Sequence, residues 1–220
     1  MVKNYRPADD VVKKIKNLKI LIIIGPSGAG KTTLIKNLGL PYIPSDITRK
    51  RRPEEKEGED YFFREDYSKI LDDMRAGRFV QAAVGPGGDF YSTKGAAYPE
   101  SGVATMAVVA DVVPIFRQLG FGQTISVFIL PPTYKEWMRR IHDHKTTDEQ
   151  MEKRLAEAER SFKFALGDSQ THLVLNDNIS DCTSRVEDLL GGKVDEAKEQ
   201  EAHIICHQLL ECLQNRHGLL

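Results

Sequence analysis

The chain has few cysteines, no long apolar run and almost no excess charge. Its three cysteines have neither the even number of a disulfide framework nor the Cys-x-x-Cys spacing of a metal site. The formal net charge of −1 excludes a chain-wide field for nucleic acid or a membrane surface. No apolar run approaches the length of a membrane span. We therefore expect a cytoplasmic protein that binds any anion at a local site and has neither nucleic acid nor membrane as a partner.

The composition is sufficient for a folded core. Apolar residues make up 40% of the 220 positions, which suits one α/β domain with insertions. The first 17 residues are charged and lack the apolar centre of a signal peptide.

A glycine-rich segment follows the most apolar run of the chain. Residues 18–24 read Leu-Lys-Ile-Leu-Ile-Ile-Ile, typical of a buried strand. Glycines at 25, 28 and 30 let the backbone turn so that successive N–H groups converge on an anion, at the start of a helix near Lys31. Lys31 would reach the β- and γ-phosphates of a nucleoside triphosphate, and the Thr32 hydroxyl would bind Mg²⁺. The predicted triphosphate site is Gly25, Pro26, Ser27, Gly28, Ala29, Gly30, Lys31, Thr32 and Thr33.

Apolar periodicity predicts strands and helices in alternation. Residues 8–17 have helical spacing, and the helix from Lys31 stops at Gly39. The segment 45–60 is too charged to be core, and residues 85–88 form a glycine-rich turn. Strands separated by helices imply a parallel sheet with right-handed crossovers. We expect further strands at 42–44, 79–83, 90–94, 106–110, 126–130 and 172–175, and helices at 66–76, 112–119, 181–190 and 194–214.

Two helices joined by a basic loop follow the strand at 126–130. Thr133 caps the first helix and Thr147 caps the second, and such a pair late in the chain suggests a mobile lid. An apolar stripe on the last helix indicates docking on the domain or on a second subunit, which leaves monomer and homodimer open. The stripe consists of Ala202, Ile205, Cys206, Leu209 and Leu213.

Two arginines in the charged segment suit a second phosphate. Arg49 and Arg52 are three residues apart, and guanidinium groups bind phosphate oxygens in pairs. The Tyr61 hydroxyl would complete such a site. Considered alone, an arginine-rich loop is more often a solvated surface.

These residues resemble a motif of the guanylate kinase family, Ser-x-x-Thr-Arg-x-x-Arg followed by Gly-x-Asp-Tyr. The matching positions are Ser45, Thr48, Arg49, Arg52, Gly58, Asp60 and Tyr61. Residues 90–93 are similar to the family's Tyr-Gly-Ser or Tyr-Gly-Thr strand, and residues 130–132 to the entrance of its lid. Arg140 and Arg154 match lid arginines, and Asn176 stands where the family's last strand abuts adenine. The resemblance covers residues 18–190.

The resemblance implies a P-loop NTPase fold of the α/β class. Its three layers would contain a central parallel sheet, a small mixed-sheet module for the monophosphate and a helical lid. The implied reaction transfers the γ-phosphate of ATP to GMP or dGMP, giving ADP and GDP, with Mg²⁺ as cofactor. The guanylate kinase-like domain would span 1–192 and a C-terminal helix 193–220, with core segments 18–44, 103–132 and 155–190, the monophosphate module 45–102 and the lid 133–154.

The resemblance also implies a role for each site residue. Lys31, Arg140 and Arg154 would stabilise the phosphoryl group during transfer, and Asn176 would help to bind ATP. The acceptor site would consist of Ser45, Arg49, Arg52, Tyr61, Gln81, Tyr91, Thr93 and Asp111. Phosphoryl transfer is catalysed by positioning the two substrates and by stabilising the charge that develops, so no covalent intermediate with the protein is required.

Base recognition is where the chain departs from the family. Guanylate kinases read guanine partly with acidic residues. One of these acids follows a Phe-Val pair in the family, and the corresponding position in this chain is Gln81. An ungapped match puts Ala110 at a second acid position, and a shift of one residue would put Asp111 there. A further lid arginine is replaced by His144 or Lys145. We expect intact phosphate chemistry with a weakened preference for guanine.

Three alternatives stay open. A kinase of the same fold that phosphorylates a ribose bisphosphate would suit the missing acids, although Gly-x-Asp-Tyr favours a nucleotide. Guanylate kinase-like scaffold domains bind phosphopeptides without catalysis, but they have typically lost the lysine that is present here as Lys31. A GTPase would carry an Asn-Lys-x-Asp motif, which this chain lacks.

Overall fold

Two four-stranded sheets and eight helices organise the part of the chain that this computed structural model describes, residues 5–51, 55–84, 88–142 and 147–215. The strands are β1 Leu18–Ile24, β2 Ser45–Ile47, β3 Tyr61–Phe63, β4 Phe79–Val84, β5 Phe90–Lys94, β6 Gly102–Ala107, β7 Gln123–Leu130 and β8 Thr171–Leu175. The helices are α1 Asp9–Lys16, α2 Lys31–Leu38, α3 Tyr67–Arg75, α4 Val113–Gln118, α5 Tyr134–His142, α6 Asp148–Gly167, α7 Ile179–Leu190 and α8 Glu196–Asn215.

The first sheet is parallel, in the strand order β6-β1-β7-β8. β1 is buried along nearly its whole length, as expected for a strand covered on both faces. β7 pairs with β8 from Ser126 opposite Thr171 to Leu130 opposite Leu175. The carboxyl ends of parallel strands meet at one edge, where α/β proteins bind ligands. That edge carries the glycine-rich segment after β1 and Asn176 after β8.

The second sheet is mixed and has the order β3-β2-β5-β4. β2 is parallel to β3 and antiparallel to β5, and β5 is antiparallel to β4. Asp66 caps α3 by accepting a hydrogen bond from the Lys69 backbone N–H. An apolar cluster packs α3 onto one face of this sheet and leaves the other face for the predicted acceptor residues. The buried members of the cluster are Ile70, Phe79, Ala82 and Phe90.

The chain forms two compact units. The small-sheet unit comprises Met1–Ile20, Leu40–Met106 and Pro114–Thr124. The other unit carries the glycine-rich segment 25–32, the P-loop, and is called the P-loop unit below. It comprises Leu21–Gly39, Ala107–Val113 and Ile125–Leu220. The glycine-rich segment and Asn176 therefore belong to one unit, and β2 to β5 belong to the other.

The last helix packs within the P-loop unit. α8 contacts α6, β8 and α5. Ala202, Cys206, Leu209 and Leu213 of its apolar stripe are buried, and Ile205 is half-buried. Docking on the domain is therefore what the structure shows for this stripe. All three cysteines are free thiols, and among the described residues no helix has the length and apolarity to cross a membrane.

The strand predicted at 42–44 is wrong. Tyr42 makes a single isolated bridge to Thr105, and the strand begins at Ser45, inside the segment predicted to be too charged for the core. Asp46 is only 2% exposed, and its carboxylate accepts a hydrogen bond from the Arg64 guanidinium. This pairing allows a charged residue to occupy a buried strand position.

The strand predicted at 106–110 is also displaced. β6 ends at Ala107, Val109 is 51% exposed, and a 3₁₀ turn covers Ala110–Val112. An apolar run in the sequence does not distinguish the end of a strand from an apolar turn that follows it. The turn predicted at 85–88 falls mostly outside the described residues. The other predicted elements are present with modest shifts at their ends, and the predicted fold class is confirmed.

Candidate active site

The P-loop, Gly25–Thr32, joins β1 to α2 and is fixed by the end of β8. The Asn176 side-chain amide donates to the Ala29 carbonyl oxygen at 2.7 Å. Gly30 has a φ of 97°, and a Cβ there would lie 2.2 Å from the Asn176 amide nitrogen. A side chain at position 30 is thus excluded both by backbone conformation and by Asn176. Asn176, which the sequence predicts to help bind ATP, therefore lies against the P-loop.

Lys31 is partly buried at the start of α2 and folds back over the P-loop. Its ammonium group donates to the carbonyl oxygens of Gly25 at 2.6 Å and Pro26 at 2.9 Å. Burial lowers the pKa of the Lys31 amine to about 8, and the negative charge of Glu157 opposes that shift. A bound polyphosphate would act in the same sense as Glu157 and stabilise the charged amine.

Thr32 and Thr33 are exposed in the first turn of α2. The described residues contain no cluster of three or more His, Cys, Asp or Glu side chains fit to hold a metal. Mg²⁺ does not need such a cage, since it keeps several waters and is commonly bound by one or two protein groups together with substrate phosphates. The Thr32 hydroxyl therefore fits the metal role that the sequence predicts.

Arg140 lies on α5 within the same unit. Its guanidinium donates to Glu136 at 2.9 Å and approaches the Asn176 carbonyl oxygen at 3.4–3.5 Å. Hydrogen bonds from Arg139 and Arg140 lower the pKa of Glu136 to about 2. Glu136 therefore remains an anion and orients Arg140. Arg140, Asn176 and the P-loop form one contiguous set of contacts.

Arg154 is half-buried on α6, one turn before Glu157. The charge of Glu157 acts on Lys31. α6 begins at a capping box formed by Thr147 and Gln150, as the sequence predicted for Thr147. His144 and Lys145, which the sequence predicts to lie in the lid, are outside the described residues.

Strand register places most predicted acceptor residues on one face of the second sheet. Ser45 pairs with Tyr61, and Gln81 pairs with Thr93. Ile47, two residues after Ser45, pairs with Tyr91. Alternate residues of a strand share a face, so these pairs lie on the same side. The residues gathered there are Ser45, Tyr61, Gln81, Tyr91 and Thr93.

Arg49 lies over this face and is held by Glu55, a partner that the sequence did not predict. The Arg49 guanidinium is 5.1 Å from the Tyr61 ring centroid and 5.9 Å from that of Phe63. Its Nη1 donates to one Glu55 oxygen at 2.7 Å, and its Nη2 donates to the other. The hydrogen bonds to Glu55 raise the pKa of Arg49 above its ordinary value, so the guanidinium stays charged. Glu55 lies in a run of acids that carries no signal of its own, and Arg52 lies outside the described residues.

The remaining acceptor predictions differ in accessibility. Gln81 is 7% exposed, and Thr93 is fully buried with its hydroxyl bonded to the Tyr98 hydroxyl at 2.9 Å. Ala110 is buried and Asp111 is exposed in the 3₁₀ turn after β6. A carboxylate is thus present next to Ala110, but not at the position the ungapped match requires.

A P-loop with a partly buried lysine and a nearby arginine, on an α/β fold, is typical of the P-loop class of nucleotide-binding proteins. A family model described as guanylate kinase matches residues 17–193. The chain belongs to the guanylate kinase family, which confirms the resemblance predicted from its motifs.

Individual relatives agree with this assignment. The chain is 30% identical to a guanylate kinase of Nostoc sp., over 79% of this chain and 90% of that protein. It is 30% identical to a guanylate kinase of Malacoplasma penetrans, over 84% of this chain and 99% of that protein. A crystal structure of guanylate kinase from Anaplasma phagocytophilum has the same fold, with a TM-score of 0.55 and 21% identity over 83% of this chain and 90% of that one.

Replacing Lys31 by alanine should lower the rate of phosphoryl transfer on the order of 10²-fold or more, because one charge-stabilising donor is removed. The fold should persist, since the hydrogen bonds that Lys31 makes within the described part of the chain go to loop carbonyls. Steady-state kinetics and circular dichroism on one preparation measure both effects. Lys36→Ala removes the same charge from an exposed position of α2 and serves as the control. Near-normal turnover of Lys31→Ala would contradict this role for Lys31.

Binding of Mg·ATP should take up protons at alkaline pH. With a pKa of about 8, the free Lys31 amine is largely neutral near pH 9, and the bound phosphates restore its charge. Near pH 7 the amine is already charged, and uptake by Lys31 should be small. Calorimetry in two buffers with different ionisation enthalpies measures the protons exchanged. Equal uptake near pH 7 and pH 9 would contradict the assignment.

Proposed function

We propose that the protein transfers the γ-phosphate of ATP to GMP or dGMP, giving ADP and GDP, with Mg²⁺ bound at Thr32. Family membership confirms the enzyme class, an ATP-dependent phosphotransferase of the guanylate kinase type. The proposal is carried by the presence, in one chain, of an ordered P-loop with Lys31 and of Arg49 set over a sheet face lined by acceptor residues.

On the donor side, catalysis is electrostatic. Lys31 would neutralise the β- and γ-phosphates, and Arg140 and Arg154 would stabilise the charge on the transferred group. Mg²⁺, when bound, supplies further neutralisation of the phosphate oxygens. Asn176 keeps the P-loop in place through Ala29. These groups need no proton transfer of their own, so the chain's task is to hold two polyanions in reacting geometry.

On the acceptor side, Arg49 would bind the monophosphate. Glu55 keeps the guanidinium ordered above Tyr61, which lowers the entropy lost when a phosphate arrives. A phosphate dianion attracts the guanidinium more strongly than a carboxylate does, so it would replace part of the Glu55 pairing. Ser45 and Tyr61 are neighbours on the same face and supply hydroxyl groups.

The alternative functions are not favoured. A ribose bisphosphate kinase and a non-catalytic scaffold domain both share the fold, but the relatives that match this chain are guanylate kinases. Lys31 and Thr32, which a scaffold domain has no need of, are retained.

Cytoplasmic location is supported by the three free cysteines. The sequence prediction of monomer or homodimer stays a prediction.

A coupled assay that follows ADP formation tests the function. ATP and Mg²⁺ should give turnover with GMP and dGMP and negligible turnover with ribose 1,5-bisphosphate. Turnover with the ribose bisphosphate and none with GMP would replace the proposal by the alternative.

Arg49→Ala should weaken GMP binding by roughly ten- to a hundredfold, the cost of a lost bidentate charge-assisted contact. Mg·ATP binding should be unchanged, and Arg52→Ala should behave in the same way. Calorimetry with each ligand separately measures the two affinities. Arg51→Ala, which removes a neighbouring exposed charge, is the control. An equal loss for both ligands would remove Arg49 from the acceptor site.

Gln81→Glu should sharpen the preference for guanine by about ten- to a hundredfold in relative kcat/KM. A glutamine carbonyl accepts one hydrogen bond from guanine without charge, and its amide can turn to donate to another base. The carboxylate introduced at this buried position would find charge-assisted donors on guanine. Kinetics with GMP, dGMP, AMP and IMP measure the preference, with Gln123→Glu as an exposed control. Strong guanine selectivity that is already present and unchanged by the substitution would show that other residues read the base.

A further inference from the structure

Trp137, the one tryptophan of the chain, contacts the backbone of the P-loop. Its indole N–H donates to the Ser27 carbonyl oxygen at 2.8 Å, and its side chain is 0% exposed. The apolar pattern of α5 predicts only a packing role for Trp137. The hydrogen bond adds a specific polar contact to one peptide of the P-loop.

That bond fixes the direction of a neighbouring N–H group. In a planar trans peptide the carbonyl and the following N–H point in opposite directions. With the Ser27 carbonyl turned towards Trp137, the Gly28 N–H is directed away from the indole. Asn176 acts in the same way on the Ala29 carbonyl, and so on the Gly30 N–H. An anion-binding loop requires N–H groups that point towards the anion, and the carbonyl groups of the same peptides must then point away from it.

The indole has little freedom to release this carbonyl. Its ring meets Phe162 edge-on at 5.4 Å and Tyr134 at 5.9 Å between centroids. The indole is buried, so water would not replace the Ser27 carbonyl as an acceptor. Loss of this bond would leave the N–H without a partner, which is costly. α5 also lies close to the loop, since a Cβ at Gly28 would come within 3.1 Å of the Ile141 side chain.

We propose that Trp137 is a positioning residue for the donor-phosphate site. It holds the Ser27–Gly28 peptide so that the Gly28 N–H stays available to a phosphate, and it ties α5, which carries Arg140, to the P-loop. This role rests on the proposed function, because the phosphate is that of ATP or ADP.

Trp137→Phe tests the role by keeping an aromatic ring and removing the N–H donor. Calorimetry should show Mg·ADP binding weakened about tenfold, the cost of one uncompensated buried hydrogen bond. GMP binding should be unchanged. Phe162→Leu disturbs the same aromatic cluster without touching Ser27, so it should lower the unfolding midpoint and leave ADP affinity within about twofold.

A second measurement applies to the wild type and does not depend on a folded variant. The single indole N–H resonance in a ¹⁵N-labelled sample should be protected from exchange with solvent and should shift when Mg·ADP binds. Rapid exchange, or no shift at saturation, would overturn the proposal.

The outcomes separate this role from the function itself. Wild-type protein that binds no Mg·ADP would overturn both. If Trp137→Phe binds Mg·ADP as tightly as the wild type, the positioning role alone is overturned. The same holds if the variant loses ADP affinity and GMP affinity equally. Selective loss of ADP affinity, with Phe162→Leu near normal, would establish it.

Discussion

The hydrogen bonds accepted by the P-loop carbonyls are the constraint on which the proposed donor site depends. A glycine-rich loop has many accessible conformations, and fixing one of them costs conformational entropy. Here Trp137 holds the Ser27 carbonyl, Asn176 holds the Ala29 carbonyl, and Lys31 bonds to Gly25 and Pro26. These donors belong to α5, the end of β8 and α2. The packing of the first sheet and its helices therefore determines whether the loop can bind a phosphate.

The cations of the proposed site have internal partners that prepare them for anions. Glu136 orients Arg140, Glu55 orients Arg49, and loop carbonyls hold Lys31. Long side chains lose several rotamers on binding, and an ordered side chain has already lost them. The lowered pKa of Lys31 shows the cost of placing a cation in a partly buried site. A bound polyphosphate would remove part of that cost, so in the proposed function the charge of the substrate would stabilise the charged Lys31.

Motifs with fixed spacing could be predicted from the sequence, and contacts between distant segments could not. The P-loop, the caps at Thr133 and Thr147 and the family motif each lie within a short stretch, where spacing alone carries the information. β2 was missed because the charge of Asp46 concealed a buried strand that Arg64 makes possible. Glu55 and Trp137 were missed for a related reason. Nothing in the local sequence indicates that an indole will reach a carbonyl 110 residues away.

The proposed function assigns donor phosphates to the P-loop and the acceptor to the face of the second sheet that Arg49 covers. Backbone amide shifts of a ¹⁵N-labelled sample, followed during separate titrations with Mg·ADP and GMP, test that assignment most directly. Mg·ADP should shift chiefly the amides of residues 25–33, and GMP should shift chiefly those of β2, β3 and β5 together with Arg49. Coincident shifts for the two ligands, or GMP shifts confined to the P-loop, would contradict it.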